Sequence, residues 1–396
     1  MDFDDFRADP AGLRRAVELL LDEGDAGPWK LGQELPENGI GSLEALEVLA
    51  SPVLDHSRDL GGPGFFAHMD PPTPWITWVL SMWTASRNQN LLHPDTAPTA
   101  RAMEDTVVAW LAPFFGKSGG HMTPGSSIAN LTALWAARES GAREVVASGD
   151  AHLSIKKAAH LLGLPLRLIE DWSRPGKITH SVAVVTAGTT SSGEVESLDA
   201  APEARWRHLD AAWAGPLRLS EQHSHLLDEI DGFDSVSISA HKWFFQPKES
   251  ALVLFNDHEA AHASIAIDGA YLAVPNVGVL GSHGATAAHL LATLLAFGRS
   301  GVADLIDHCM RLAAELHDLV EAHDELVARS QPHTGIVCWR HRTVPPDDIL
   351  RHLPPDVFVS STTIAGEAWL RSVAANPLAN PPLVIEGVLT AATRAT

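Results

Sequence analysis

The chain has 396 residues, of which 45% are hydrophobic and 19% charged, and a formal charge of −21. This composition fits a compact globular protein with a large core rather than a disordered chain. The acidic excess argues against nucleic-acid or anionic-membrane partners. Two cysteines, Cys309 and Cys338, give no disulfide framework and read as buried, inert thiols. The acidic start Met1-Asp-Phe-Asp-Asp5 does not resemble a signal peptide. No apolar run of about 18 residues is evident, so no membrane span and a cytoplasmic location are expected.

In chain order, apolar spacing at Leu13, Val17, Leu20 and Leu21 predicts a helix over 10–24, followed by Gly- and Pro-rich sequence to about residue 41. A second helix is predicted over 42–55 with Ser42 as its N-cap. Glycines and prolines in Gly61–Gly64 and Asp70–Pro74 bracket Phe65-Phe-Ala-His68, which reads as an ordered loop lining something. Helices are predicted over 75–86 and 98–114. Strands then alternate with helices: strands at 144–148, 165–169, 181–186, 206–209, 235–240 and 251–255, helices at 127–138, 152–162 and 221–229. That alternation predicts an α/β protein with a mostly parallel sheet covered by helices on both faces. Helices over 284–298 and 302–322, separated by Gly298-Arg-Ser-Gly301, lead into strand-like runs at 335–339, 356–362 and 368–374. The expected division is an N-terminal helical arm (1–60), a large ligand-binding domain (61–300) and a small C-terminal α+β domain (301–396).

The residues that carry chemistry fall at predicted strand ends, where ligands collect in such sheets. Lys242 follows the strand in Ser237-Ile-Ser-Ala-His-Lys242, and Asp210 ends the strand in His208-Leu-Asp210. An amine that can form an imine, plus a carboxylate that can keep a pyridine nitrogen protonated, is the minimal protein contribution to pyridoxal phosphate (PLP) chemistry. Thr123-Pro-Gly-Ser-Ser127 opens a helix, and free N–H groups at a helix start suit a phosphate. Alone, each of these is also an ordinary cap or turn. Phe115-Gly-Lys-Ser118 is not a P-loop, because Leu111 stands where its first glycine would be. His223-Ser-His225 makes a poor metal site on a helix, where residues two apart face different ways; no metal is expected.

Taken together, Thr-Pro-Gly-Ser-Ser127, Asp-Ala-His152, Thr186-Ala-Gly-Thr-Thr, His208-Leu-Asp-Ala-Ala-Trp and Ser239-Ala-His-Lys-Trp resemble the motifs of the PLP-dependent group II amino-acid decarboxylases of fold type I. Aromatic-amino-acid, glutamate and diaminobutyrate decarboxylases belong to that group. The likeness covers roughly residues 60–300. It implies that Lys242 holds the coenzyme as an imine, and that His241, Gly125, Ser126 and Ser127 hold its phosphate. It further implies that His152 stacks on the ring, Ala212 packs on the opposite face, Asp210 pairs with the ring nitrogen, and Thr186 sits beside the coenzyme, bonded to His152. Ser239 occupies a position where some relatives have asparagine. Tyr271, the single tyrosine, would return a proton to the substrate carbon. Phe66, His68 and Arg371 would bind substrate, with active sites shared across a homodimer. The implied reaction converts an L-amino acid to its amine with loss of CO₂, and Asn88-Gln-Asn90 with Gly281-Ser-His-Gly284 resemble members acting on acidic or diamino acids more than aromatic-specific ones.

The chain departs from the pattern in two places: a short loop between Tyr271 and the Gly281-Ser-His-Gly284 turn, and His283 where many relatives have arginine. A less well sealed site leaves open other fates for the same carbanion: decarboxylation-dependent oxidation, aldol cleavage or transamination. A catalytically inactive regulatory relative is the non-enzymatic alternative, and the intact Lys242–Asp210 pair speaks against it.

Overall fold

The computed structural model describes residues 7–22, 35–270 and 272–396; the acidic start at Met1, the first part of the Gly- and Pro-rich stretch and Tyr271 lie outside them. Contacts divide the chain into two units, Met1–Leu60 and Gly61–Thr396. In the first, Asp9 caps helix α1 (Pro10–Leu21) by accepting the Ala11 N–H at 2.9 Å, with Pro10 at the first helical position. Helix α2 (Ser42–Ala50) runs into a π-helical turn at Ser51–Asp55, and Arg15 on α1 grips Glu47 on α2 through two hydrogen bonds. Ser42, predicted as the N-cap, is instead the first helical residue, with Gly41 as the cap.

In the second unit, helices α3 (Trp75–Arg87) and α4 (Ala100–Leu111) precede strand β1 (Gly119–Thr123), helix α5 (Ser126–Glu139), strand β2 (Glu144–Ser148) and helix α6 (Leu153–Leu161). Strands β3 (Leu166–Ile169), β4 (Ser181–Thr186), β5 (Trp206–Asp210), β6 (Ser235–Ser239) and β7 (Ala251–Phe255) follow. They form a seven-stranded sheet in the order β1-β7-β6-β5-β4-β2-β3. Strands β3, β2, β4, β5 and β6 run parallel, while β7 is antiparallel to both its neighbours. Every residue of β4, β6 and β7 is buried, as a sheet covered on both faces requires. Segment 221–229 does not form the predicted α-helix. It makes 3-10 turns over Ser224–Gly232 that break at Leu227, where φ is −129°.

Helix α7 (His258–Ser264) leads to a short ribbon of β8 (Ala266–Ile267) and β9 (Asn276–Val277). The two helices predicted around residue 300 are one, α8 (Ala287–Glu321), kinked where Gly298 adopts φ 63° and ψ −178°. Counter to the sequence expectation, α8 contains an 18-residue window of mean hydropathy 1.2, long and apolar enough by length and composition to cross a membrane. Past the kink it buries Val302, Ile306, Cys309, Leu312 and Leu316 in the main core, with Asp307 also buried. Strands β10 (Leu326–Ala328) and β11 (Ile336–His341), helix α9 (Pro346–His352), strands β12 (Ser360–Ile364) and β13 (Glu367–Val373) and helix α10 (Pro381–Ala395) complete the chain. These strands make an antiparallel sheet in the order β10-β11-β13-β12. Cys309 and Cys338 are buried and unpaired.

Strand alternation decides which side chains meet which layer. On one face Leu209, Val236, Ile238, Leu252 and Leu254 join α4 and α8 in the main core. On the other, Val253 and Phe255 of β7 pack under α5 and α7, while Val182 and Val184 of β4 pack under α5 and α6. Between them β5 and β6 present Trp206, His208 and Asp210 with Ser235, Ser237 and Ser239. A polar seam thus runs beneath α5.

Two tryptophans tie this sheet to the C-terminal strands. Trp213 and Trp243 stack with ring centroids 4.0 Å apart. Trp213 Nε1–H donates to Thr334 O at 2.6 Å and Trp243 Nε1–H to Ala374 O at 3.1 Å. Gly335, at φ 72°, lies so close that a Cβ there would stand 2.7 Å from Trp243 Cζ2. Gly335→Ala combines left-handed backbone strain with overpacking and is expected to destabilise by about 1–3 kcal/mol. The check is a lower urea midpoint at unchanged slope; an unchanged midpoint would mean the tryptophan pair yields freely.

Candidate active site

Three parallel strands end side by side on the singled-out residues. Thr186 closes β4 opposite Asp210 at the end of β5, and Asp210 pairs in register with Ser237 of β6. Lys242 follows β6 in a tight turn, its N–H donating to Ser239 O at 3.2 Å.

Asp210 is 3% exposed, so its charge needs donors in place of water. Asn130, fully buried on α5, donates Nδ2–H to Asp210 Oδ2 at 2.9 Å, and Ala212 N–H donates to Oδ1 at 3.2 Å. Burial drives the Lys242 amine down to about 8; Asp210 and Asp70 oppose the fall, and Arg371 and Lys248 add to it. At that value about one amine in ten is neutral at pH 7, against far fewer for a solvated lysine. The result is a ready nucleophile coupled to a buried carboxylate.

The remaining predicted residues gather around this pair with differing closeness. Gly125 caps α5 at φ 113°, and a Cβ there would stand 4.0 Å from His241 Cε1, so His241 faces the helix start. Ser126 is buried and Ser127 exposed in the first turn, where backbone N–H groups lack intrahelical acceptors. Burial, with Lys248 and Lys242 nearby, lowers His241 to about 4. Ser239 Oγ lies 3.2 Å from His241 Nε2, and Ser239 N–H donates to Ala212 O at 3.3 Å. His152 caps α6, its Nδ1 accepting from Ser154 N–H at 3.2 Å and lying 2.8 Å from Ser154 Oγ. Its pKa is lowered by burial, with Lys242 adding to the fall and Asp210 opposing it. Thr186 does not bond His152, counter to expectation: its buried Oγ1 has no hydrogen-bond partner.

Arg371, on β13, is buried; its Nε–H donates to Thr190 O at 2.7 Å and its guanidinium reaches Ala67 O at 3.4 Å. Phe66 is fully buried in the main core instead of lining an open cleft, whereas His68 is exposed and packs near Phe65. Tyr271 lies outside the described residues. A separate polar cavity of about 180 Å³, lined by Glu104, His121, His262 and His283 among others, includes neither Lys242 nor Asp210. Among the described residues no group of three or more metal-binding side chains occurs.

Two kinds of residue escaped the sequence. Asp70 forms an ion pair with Lys248, and its charge acts on Lys242, His241 and Arg371 together. Asn130 and His208 form the polar seam beneath the carboxylate. The period-2 serines of Ser235-Val-Ser-Ile-Ser239 were the available signal, since three buried hydroxyls on one strand face announce a polar partner.

The residues fit a phosphorylated pyridine aldehyde. They supply a helix start for the anion, a partly neutral amine, a buried carboxylate and an orphaned threonine hydroxyl that awaits a partner from outside the chain. A lysine–carboxylate pair at the strand ends of a mostly parallel sheet defines a coenzyme-dependent α/β enzyme. Residues 47–342 match the pyridoxal-dependent decarboxylase conserved domain, and the chain belongs to that family: a PLP-dependent amino-acid carboxy-lyase. It is 29% identical to L-2,4-diaminobutyrate decarboxylase of Rhizobium meliloti over 353 residues, which covers 78% of this chain and 70% of that one. It is 30% identical to a probable L-tyrosine/L-aspartate decarboxylase of Methanothermobacter thermautotrophicus over 292 residues, covering 67% and 80%. Oryza sativa TDC, crystallised with PLP and tryptamine, shares the fold at a TM-score of 0.85 with 21% identity, covering 100% of this chain and 99% of that one. Mouse CSAD superposes at 0.82 with 22% identity, covering 96% and 98%.

The lowered lysine has a consequence for the apoprotein. Because its folded value of about 8 lies below the ordinary lysine value of 10.5, the folded state binds fewer protons between those pH values. The penalty is therefore full below about 8 and fades as pH rises toward 10.5. Lys242→Met apoprotein is expected to be more stable than wild type by roughly 3 kcal/mol at pH 7, with the gap closing near pH 10.5. Denaturant melts at both pH values check this; a gap independent of pH would show that the amine is not desolvated.

Proposed function

We propose that the enzyme decarboxylates a small polar L-amino acid, acidic or diamino, with Lys242 as the amine that carries the coenzyme aldehyde. The observation that carries this reading is the buried Asp210 carboxylate coupled to the desolvated Lys242 amine at adjoining strand ends. Asp210 would hold the ring nitrogen, His152 and Ala212 the two ring faces, and Gly125, Ser126, Ser127 and His241 the phosphate. Thr186 and Ser239 would bond its remaining polar atoms. When bound, PLP supplies an electron sink for the pair released as CO₂ departs.

The protein's own part is orientation and proton placement. Arg371 is proposed to bind the substrate carboxylate. The carbonyls of Thr190 and Ala67 hold its guanidinium in place. Phe66 supports that arm from the core: its N–H donates to Phe358 O and its carbonyl accepts the Val373 N–H, joining the Ala67 segment to the strand that bears Arg371. His68 and the Asp70–Lys248 pair would meet the substrate's polar side chain, consistent with relatives named for diaminobutyrate and aspartate. Tyr271 is proposed to deliver the proton to the substrate carbon.

The working form is proposed to be a cytoplasmic homodimer with shared sites, within the domain scheme 1–60, 61–300 and 301–396. Helix α3 exposes Trp75, Trp78, Met82 and Trp83 within one helical face, and Leu295 and Phe297 lie exposed on α8, which packs against α3. A second copy of the chain would cover this patch, larger than isolated surface apolars need explain. Sedimentation at the mass of one chain would remove that reading. The unpaired, buried cysteines support a reducing compartment.

The function is tested by titrating apoprotein with PLP, then measuring CO₂ and product on a panel of acidic, diamino and aromatic L-amino acids. Wild type should show a visible imine band and release CO₂ from a short polar substrate. Lys242→Ala should lose both; retained turnover would refute the assigned amine. On the same panel, Tyr271→Phe is expected to shift product from amine toward aldehyde, with O₂ consumed, and an unchanged ratio would take Tyr271 out of the reaction.

A further inference from the structure

We infer that Asn130 is the positioning residue of this site: one amide both clamps Asp210 and, through Ser154, keeps the proton of His152 on Nε2, with its own oxygen held by His208 and Ser237. The role toward the coenzyme rests on the proposed function; the hydrogen-bond directions do not.

Those directions follow from the carboxylate. An ionised carboxylate only accepts, so the Asn130 atom 2.9 Å from Asp210 Oδ2 is the amide nitrogen. The same nitrogen lies 2.9 Å from Ser154 Oγ and spends its second hydrogen there. The Ser154 hydroxyl, having accepted, gives its single hydrogen to His152 Nδ1 at 2.8 Å, a nitrogen that also accepts the Ser154 backbone N–H. His152 Nδ1 is thus an acceptor twice over, and the proton of the neutral ring sits on Nε2.

At the other end Trp206 Nε1–H can only donate, and it donates to Ser235 Oγ at 2.8 Å. With the Asn130 nitrogen turned to Asp210, its Oδ1 faces His208 Nε2 at 2.9 Å, so that ring nitrogen carries the hydrogen and Nδ1 is left to accept from Ser235 Oγ at 2.8 Å. Ser237 Oγ lies 2.6 Å from Asn130 Oδ1 and 3.4 Å from Asp210 Oδ1, and gives its single hydrogen to the nearer. Burial lowers His208 to about 4, so it stays neutral and holds one donor and one acceptor nitrogen. Were the Asn130 amide reversed, its nitrogen would face the His208 and Ser237 donors and its oxygen would face the carboxylate. The contact with the carboxylate would then be repulsive, and His208 Nε2–H would meet a second donor.

The seam is therefore a one-way chain, Trp206 to Ser235 to His208 to Asn130, that forks to Asp210 and to His152. Asn130 does not touch the reacting atoms; it acts through the two residues that would.

Two measurements test this. In wild-type apoprotein carrying ¹⁵N-histidine, both His208 and His152 should appear at neutral pH as neutral Nε2–H tautomers, assigned by the signals lost in His208→Gln and His152→Gln. An Nδ1–H tautomer at either ring overturns the proposal, and this readout needs neither coenzyme nor turnover. Second, Asn130→Asp keeps the shape but replaces the donor with an acceptor beside Asp210. PLP affinity, read by titrating the imine band, should fall by about ten- to a hundredfold, the usual scale of a charge-assisted hydrogen bond, and the pH profile of that band should shift. Wild-type affinity and profile would overturn it. His208→Gln retains a donor and should bind PLP about tenfold more tightly than the space-filling His208→Leu; equal affinities would show that donor direction is irrelevant. If wild type itself forms no imine band, the proposed function fails while the tautomer measurement still decides the relay.

Discussion

A carboxylate at 3% exposure persists in a protein interior only if donors replace its lost water, and Asp210 sets that demand for its surroundings. Ala212 N–H answers from the strand's own continuation and Asn130 from the covering helix. The same charge favours the ammonium form of Lys242 while burial disfavours it more, leaving an amine titrating near neutrality. Alternation along β5 and β6 then turns the seam toward α5 and the apolar residues toward α8. Sheet register and helix placement thus bring the donors and the amine to where one negative charge is kept.

The layered architecture gives that charge its rigidity. Asp210 and Lys242 lie on segments that continue directly into Trp213 and Trp243, and the stacked indoles donate to Thr334 and Ala374, which border β11 and the strand β13 that bears Arg371. The groups proposed to bind substrate and coenzyme consequently share one packed joint instead of meeting across a loose cleft. A site assembled this way keeps its geometry before any ligand arrives, which is the condition for orientation to contribute to rate.

Much of this was legible in the residues. Strands such as Ser181–Thr186 and Ala251–Phe255 are nearly unbroken apolar runs, so their type and bounds follow from composition. Lys242 and Asp210 stood out because each stands at or just after the end of a strand-like run. Strand β1 did not, because Gly119-Gly-His-Met-Thr123 has little strand propensity. A Cβ on Gly120 would come within 2.0 Å of Val253 O, so glycine is needed there for close approach to β7, a tertiary reason that no local pattern carries. The 221–229 segment misled for the opposite reason: helical spacing of Leu226, Leu227 and Ile230 is satisfied by tighter turns. Asn130 looked like an ordinary residue of a small-residue helix, and Asp70 like part of a proline-rich loop. Only the fold brings their polar atoms to the buried charges.

The two cysteines acquire a use from their placement. Burial raises the Cys309 thiol to about 12 and the Cys338 thiol to about 11, so almost no thiolate exists in the native protein. One lies in the kinked helix and the other on β11, its Sγ 3.2 Å from Ser191 O. An alkylating reagent can reach neither until the chain opens locally. Mass labelling at each sulfur is thus a built-in clock for the opening of two elements of the main core, without any introduced probe.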